Sequence, residues 1–175
     1  MLEAATAVAQ EFGLSGLTFA KVAEYLGTSD RMVVYYFPTK AELISAAVTR
    51  MGADLQAVLA EAFGSDRRHV DDLVATAWPV LATPAADRVF AVFFEAVGLA
   101  SGGKEPYVDL ANGLFAAWAH WLESRVVGSS ASVRQRRALA VMATVDGLLL
   151  LRRVLGPEAA QAAIESLAPG RSLPR

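Results

Sequence analysis

Between Leu17 and Lys40 the chain reads LTFAKVAEYLGTSDRMVVYYFPTK, and the punctuation of this stretch constrains the fold more than any other feature. Thr18 is a capping residue type, whose hydroxyl can accept a bond from a free first-turn amide. Phe19, Val22, Ala23 and Leu26 follow at i, i+3, i+4 and i+7, the apolar stripe of a short helix. Gly27 supplies the left-handed residue that commonly ends a helix. Ser29 caps a second short helix, Asp30 to Phe37, with Val33 and Phe37 on its inner face and Pro38 as its stop. Two short helices joined by a tight glycine turn make a helix-turn-helix unit. The second helix exposes Asp30, Arg31, Met32 and Tyr35 near its N-terminal end, the end that reaches base edges when such a helix lies in a major groove.

The rest of the chain keeps helical spacing and has almost no strand signal, so the fold class is all-α, with about nine helices. Leu2, Ala5, Ala9 and Phe12 mark a first helix that ends at Gly13. Thr39 and Glu42 form a capping box, each able to satisfy a backbone amide of the other. It opens a long fourth helix, with Ile44, Ala47, Met51, Leu55, Val58, Leu59 and Ala62 on one stripe up to Gly64. A fifth helix is expected from Arg68 to Ala82, kinked or cut short by Pro79. Thr83-Pro84 restarts the chain for a sixth helix, Ala85 to Leu99. Pro106 opens a seventh, Tyr107 to Val127. Ser132-Val133-Arg134-Gln135 reads as another capping box, opening an eighth helix to Leu155. Gly156-Pro157 precedes a ninth, Glu158 to Leu167. This predicts an N-terminal three-helix DNA-binding domain over 1–43, joined by the long helix to a helical effector-binding and dimerisation domain over 44–167. Residues 168–175 read as a flexible tail. Helix eight is apolar nearly all round, and helix nine adds Ala160, Ala163, Ile164 and Leu167, so about 133–155 and 158–167 are expected to form a two-fold homodimer interface.

Composition narrows the function classes. With 54% hydrophobic and 19% charged residues over 175 positions, the chain is globular rather than disordered. It has no cysteine, which excludes disulfide frameworks and thiolate metal sites and fits a reducing cytoplasm. Met1-Leu2 runs straight into an amphipathic pattern, with no basic leader. The most apolar run, Ala138 to Leu151, is interrupted by Asp146 and falls short of the roughly 18 residues a spanning helix needs. A soluble, cytoplasmic protein without a membrane partner is expected. The net charge of -2 weighs against nucleic acid. In the first fifty residues Lys21, Arg31, Lys40 and Arg50 face Glu3, Glu11, Glu24, Asp30 and Glu42. Position counts for more than the sum, and a few cations on one face suffice. There is no nucleophile with a base, no metal-ligand cluster and no phosphate loop, so neither an enzyme nor a bound cofactor is expected.

Phe12-Gly13, Thr18, Val22-Ala23, Leu26-Gly27-Thr28-Ser29, Tyr36-Phe37, Lys40 and Leu43 together resemble the DNA-binding domain of the tetracycline-repressor (TetR) family. The resemblance covers the aromatic-glycine pair, the threonine opening helix two, the valine-alanine pair, glycine-x-serine at the turn and the lysine three residues after the closing phenylalanine. It implies a homodimeric repressor on a palindromic double-stranded DNA operator, released by a small apolar effector. It also implies Thr18, Ser29, Tyr36 and Lys40 near phosphates, with Asp30, Arg31, Met32 and Tyr35 toward bases. Lys40 suits that role physically, in a first turn where free amides already favour an anion. Arg31 can read guanine with two bonds. Asp30 either accepts from cytosine or caps its own helix, and Tyr36 is either a phosphate contact or a core aromatic. Two departures stand out: Val34 occupies the position of the family's phosphate-contacting tyrosine, and the chain starts inside helix one. They motivate a second reading, a helical ligand-binding or interaction protein with weakened operator recognition. For the effector, Trp78, Phe90, Phe93, Phe94, Phe115, Trp118 and Met142 are the apolar candidates, with His120 and Asp146 as polar anchors. Plain core packing is the competing explanation for each of them.

Overall fold

The computed structural model describes residues 1–167; the expected tail lies outside the described residues. They form nine helices: α1 (Leu2–Gly16), α2 (Phe19–Leu26), α3 (Asp30–Tyr36), α4 (Lys40–Phe63), α5 (Val70–Leu81), α6 (Pro84–Ser101), α7 (Tyr107–Glu123), α8 (Ala131–Leu155) and α9 (Pro157–Leu167). The all-α expectation holds. The described residues pack as two compact units, 1–56 with 88–114, and 57–87 with those from 115 onward.

The first unit is built on the expected apolar stripes. Val8, Ala9, Leu14, Leu17, Val22, Ala23, Val33, Leu43, Ile44 and Ala47 are buried in one core. Val92 and Ala96 of α6 belong to the same core, and Leu110 and Leu114 of α7 pack against it. Each fully buried Val or Leu contributes about 1.5–3 kcal/mol relative to exposure, so α3 is held chiefly through Val33, its one buried residue. Mean hydropathy (1.2) and length would let α4 cross a membrane, but Leu43, Ile44, Ala47, Val48 and Met51 are packed into protein instead.

In the second unit α8 packs against α5 and α9. Ala138, Val141, Met142, Leu148 and Leu149 form its buried face. Ala160 and Ile164 of α9 are buried too, so half of the α9 stripe is used within the unit. Leu139, Ala140, Ala143, Gly147, Leu150, Leu151, Val154 and Leu155 lie exposed along the rest of α8. Their spacing makes one continuous apolar stripe.

Several boundaries differ from the sequence expectation. Gly13 does break α1, at φ 71°, but helical turns resume as far as Gly16. The α8 cap is Ser130, whose Oγ accepts from the Val133 amide at 3.2 Å. Ser132 lies inside the helix and accepts from Arg136 Nη1 at 2.6 Å. α7 stops at Glu123 instead of Val127 because a distant strand-like segment captures the backbone. Arg68 donates to the Arg125 carbonyl at 2.8 Å and accepts from the Val127 amide at 2.9 Å.

Candidate functional site

The geometry of the helix-turn-helix follows from its caps. Thr18 Oγ1 accepts from the Lys21 amide at 3.2 Å and fixes the start of α2. At the other end Gly27 sits at φ 65°, ψ 36°, and the chain turns back on itself. The Thr28 amide donates to the Ala23 carbonyl at 2.9 Å and the Gly27 amide to Glu24 at 3.1 Å, the pair of bonds of a Schellman turn. Ser29 stands at the N-cap of α3 but makes no side-chain cap bond, which leaves its hydroxyl available.

Within α3 every residue except Val33 is exposed. Met32 is 47% exposed, Tyr35 79% and Tyr36 56%, so Tyr36 is not a core aromatic. The rings of Tyr35 and Tyr36 meet edge to face at 5.5 Å, which couples their orientations. Val34 is also exposed and offers no polar atom at its tip. Asp30 lies in the first turn of α3, where a carboxylate complements the helix dipole.

The cations sort themselves by partner. Lys21 Nζ sits 3.5 Å above the Phe12 ring. Arg50 is engaged by Asp54 at 2.8 Å. Arg31 and Lys40 are exposed and form no ion pair among the described residues. Lys40 opens α4, whose first turn is organised by Thr39: its Oγ1 accepts from the Glu42 amide at 3.2 Å and its hydroxyl lies 3.2 Å from Glu42 Oε1. The result is an exposed α3 with one free cation in its first turn and another at the start of the next helix.

The expected effector residues fall in two groups. Phe90, Phe93 and Phe94 belong to the first unit and touch ring to ring at 5.3 to 6.2 Å. Trp78, Phe115, Trp118, His120, Met142 and Asp146 belong to the second. There Trp78 is 4% exposed and its Nε1 donates to Gln161 Oε1 at 3.0 Å, so its polar end is occupied. Trp118 packs against Trp121 at 5.4 Å. His120 is exposed, whereas Asp146 is largely buried on α8 with no hydrogen-bond partner among the described residues. Burial alone pushes its carboxyl up to about 6, far above the ordinary aspartate value.

One polar contact was missed from sequence. Glu95 on α6 accepts from the amides of Leu14 at 2.8 Å and Ser15 at 3.1 Å. A lone acid amid Phe93, Phe94, Val97 and Leu99 was the one available signal, and its partners lie some eighty positions away in the sequence.

Residues 1–47 match the family model described as bacterial regulatory proteins, tetR family. No curated protein sequence matches the chain. Among solved structures, a transcriptional regulator from Rhodococcus sp. Rha1 is 26% identical with a TM-score of 0.71, over 94% of this chain and 90% of that one. A TetR transcriptional regulator from Legionella pneumophila shares the fold at TM-score 0.66 and 19% identity, over 95% and 91%. A chain from Saccharomonospora viridis, solved in complex with choline, shares it at 0.65 and 17%, over 99% and 96%. These relatives are regulators rather than enzymes, as the sequence led one to expect. Residues 1–47 thus carry the N-terminal domain of the tetR family of bacterial regulatory proteins, and the chain as a whole has the fold of such regulators.

Proposed function

We propose that the protein is a cytoplasmic, homodimeric repressor that reads a palindromic operator and releases it when a small, mainly apolar molecule binds. The observation that carries this reading is the exposure of α3: six of its seven residues are exposed, on a helix anchored through Val33. Arg31, Met32 and Tyr35 are then free for base edges, while Thr18, Ser29, Tyr36 and Lys40 border them for phosphates. Asp30 complements the α3 dipole, and its second use is a base contact. Two such helices would enter successive major grooves about one helical turn apart.

The apolar stripe on α8 supports the dimer. Val154 and Leu155 are 70% and 65% exposed, and Ala143 and Gly147 on the same stripe let a second backbone approach closely. A patch of this kind is costly to leave in water and suits an isologous contact. For the effector, the second unit offers Trp78, Phe115, Trp118 and Met142 as apolar candidates, with Asp146 as the polar one. The choline complex of the Saccharomonospora viridis chain supports a small-molecule site in this fold. An effector lowers operator affinity by the difference in its binding to the two head arrangements.

Selection from random-sequence duplex DNA tests the proposal. Enrichment of a palindrome with half-sites one turn apart is the expected result. No enrichment would sink it and favour the second reading, a helical binding protein, which the apolar tip of Val34 supports.

A further inference from the structure

We propose that Glu95, on α6, is a positioning residue for DNA binding: its carboxylate clamps the broken end of α1 and so sets the helix-turn-helix that follows. The inference rests on the regulator reading above.

The break in α1 creates the need for such a clamp. Gly13 adopts φ 71°, ψ 179°, which interrupts the helical ladder. The amides of the next two residues then converge on one side chain. Leu14 donates to Glu95 Oε2 at 2.8 Å and Ser15 to Oε1 at 3.1 Å, so each carboxylate oxygen takes one backbone donor. Bonds to an ionised acceptor are about twice as strong as neutral ones. The glycine is part of the seat. A Cβ at Gly13 would lie 2.7 Å from Oε2, a distance at which the carboxylate must shift from its present seat. Gly13 is thus required twice, once for its positive φ and once for the room it leaves.

The surroundings fix both partners. Leu14 and Leu17, on either side of the clamped turn, are fully buried. Val92 and Ala96 flank Glu95 on α6 and enter the same core. Glu95 also acts on Tyr107, whose phenol is raised first by burial and then by the Glu95 charge. Only Leu17 separates Gly16 from Thr18, the cap of α2. Any pivot of the clamped turn therefore moves α2, and α3 with it. The consequence is that an acid far along the chain, outside the helix-turn-helix, governs how α3 is presented.

Glu95→Ala in the full-length chain tests this, with three readouts: exchange of the Leu14 and Ser15 amides, affinity for the selected palindrome, and urea unfolding. Amide exchange at both positions should rise about tenfold or more, as expected for loss of a hydrogen bond to a charged group. Operator affinity should fall about tenfold, with cooperative unfolding retained. The sign of the affinity change is decisive. Removing a carboxylate makes the chain less negative, which by simple electrostatics strengthens DNA binding. A fall therefore reports geometry. Glu61→Ala, at an exposed acid on α4, supplies the charge control and should leave affinity unchanged or slightly higher. Gly13→Ala should reproduce the Glu95→Ala loss. Unchanged amide exchange, or operator affinity equal to or above wild type, overturns the assignment while leaving the regulator reading intact. If the wild-type chain binds no duplex DNA, the regulator reading fails and this proposal falls with it.

Discussion

Asp87 and Arg152 are joined by two parallel hydrogen bonds, Nε to Oδ1 at 2.7 Å and Nη2 to Oδ2 at 2.9 Å. The pair ties the first turn of α6 to the last turn of α8. Its two halves differ in exposure: the Arg152 side chain is 12% exposed and that of Asp87 42%. The guanidinium is held above its ordinary pKa, chiefly by its hydrogen bonds to Asp87, with burial opposing. Loss of the acid strands a largely desolvated cation, whereas loss of the cation frees a carboxylate that already meets water. Asp87→Ala should therefore cost about 2 kcal/mol and Arg152→Met clearly less. Urea unfolding of the two variants checks the order; equal losses would show that the asymmetry in burial does not matter.

Gly27 is required for its conformation alone. Its φ of 65° is left-handed, yet a Cβ there would meet nothing within 4 Å. Gly27→Ala should destabilise by about 1–2 kcal/mol through backbone strain, and Gly27→Asn by less. Thermal melting of the pair tests this. A neutral Gly27→Ala would mean the turn can relax into another form.

These glycines show what local chemistry makes legible. Thr18 as a cap, Gly27 as a stop and Val33 as an inward residue are decided within a few positions, and the structure agrees with each. The family match covers this same stretch. The errors arise where several local choices fit equally or where the deciding partner is remote. Ser130 and Ser132 both precede the α8 pattern at usable spacing, and the structure uses Ser130. The end of α7 depends on Arg68, across more than fifty residues, and no periodicity reports that pairing. Glu95 has the same character. Phe90, Phe93 and Phe94 share the aromatic signature of Trp118 and fall in the first unit, Trp118 in the second, an assignment that aromatic density alone does not report.

Arg31 and Lys40 should separate base reading from phosphate binding. Arg31→Ala should lower operator affinity by about 1–3 kcal/mol and relax selectivity at one base position. Lys40→Ala should weaken all duplexes alike and reduce the slope of log affinity against log salt by about 0.9. Arg50 is already neutralised by Asp54 and Lys21 lies on Phe12, so the whole slope should be shallow for a DNA-binding protein. Titrations at three salt concentrations decide this; a steep slope would reveal phosphate contacts beyond those named here.

Val154 and Leu155 should report on self-association without disturbing the fold. Both are more than half exposed, so a polar residue at either position costs the isolated chain less than about 0.5 kcal/mol. Val154→Asp with Leu155→Glu should convert a dimer to a monomer in sedimentation equilibrium. The helical circular dichroism signal should be kept, and operator affinity lost along with two-fold binding. A double variant that still sediments as a dimer would move the interface away from this stripe.

Asp146 should make stability depend on pH in the direction opposite to most acids. Its folded pKa is pushed up to about 6, with burial the sole cause, against about 3.9 in an unfolded chain. Between these values the folded protein holds a proton that the unfolded chain has released. The Asp146 contribution to stability is therefore fully present below about pH 4, is lost as pH rises toward 6, and changes no further above it. The full span corresponds to about 3 kcal/mol, at about 1.4 kcal/mol per unit. Asp146→Asn keeps the shape and cannot ionise, so it should remove this component. At pH 7.5 the variant should be the more stable by up to that amount, and near pH 4 the two proteins should differ little. Urea unfolding of both proteins at pH 4.5, 6 and 7.5 gives the difference directly, because all other titrating groups cancel. A difference that stays constant with pH would mean the carboxylate is ionised and satisfied in the folded protein.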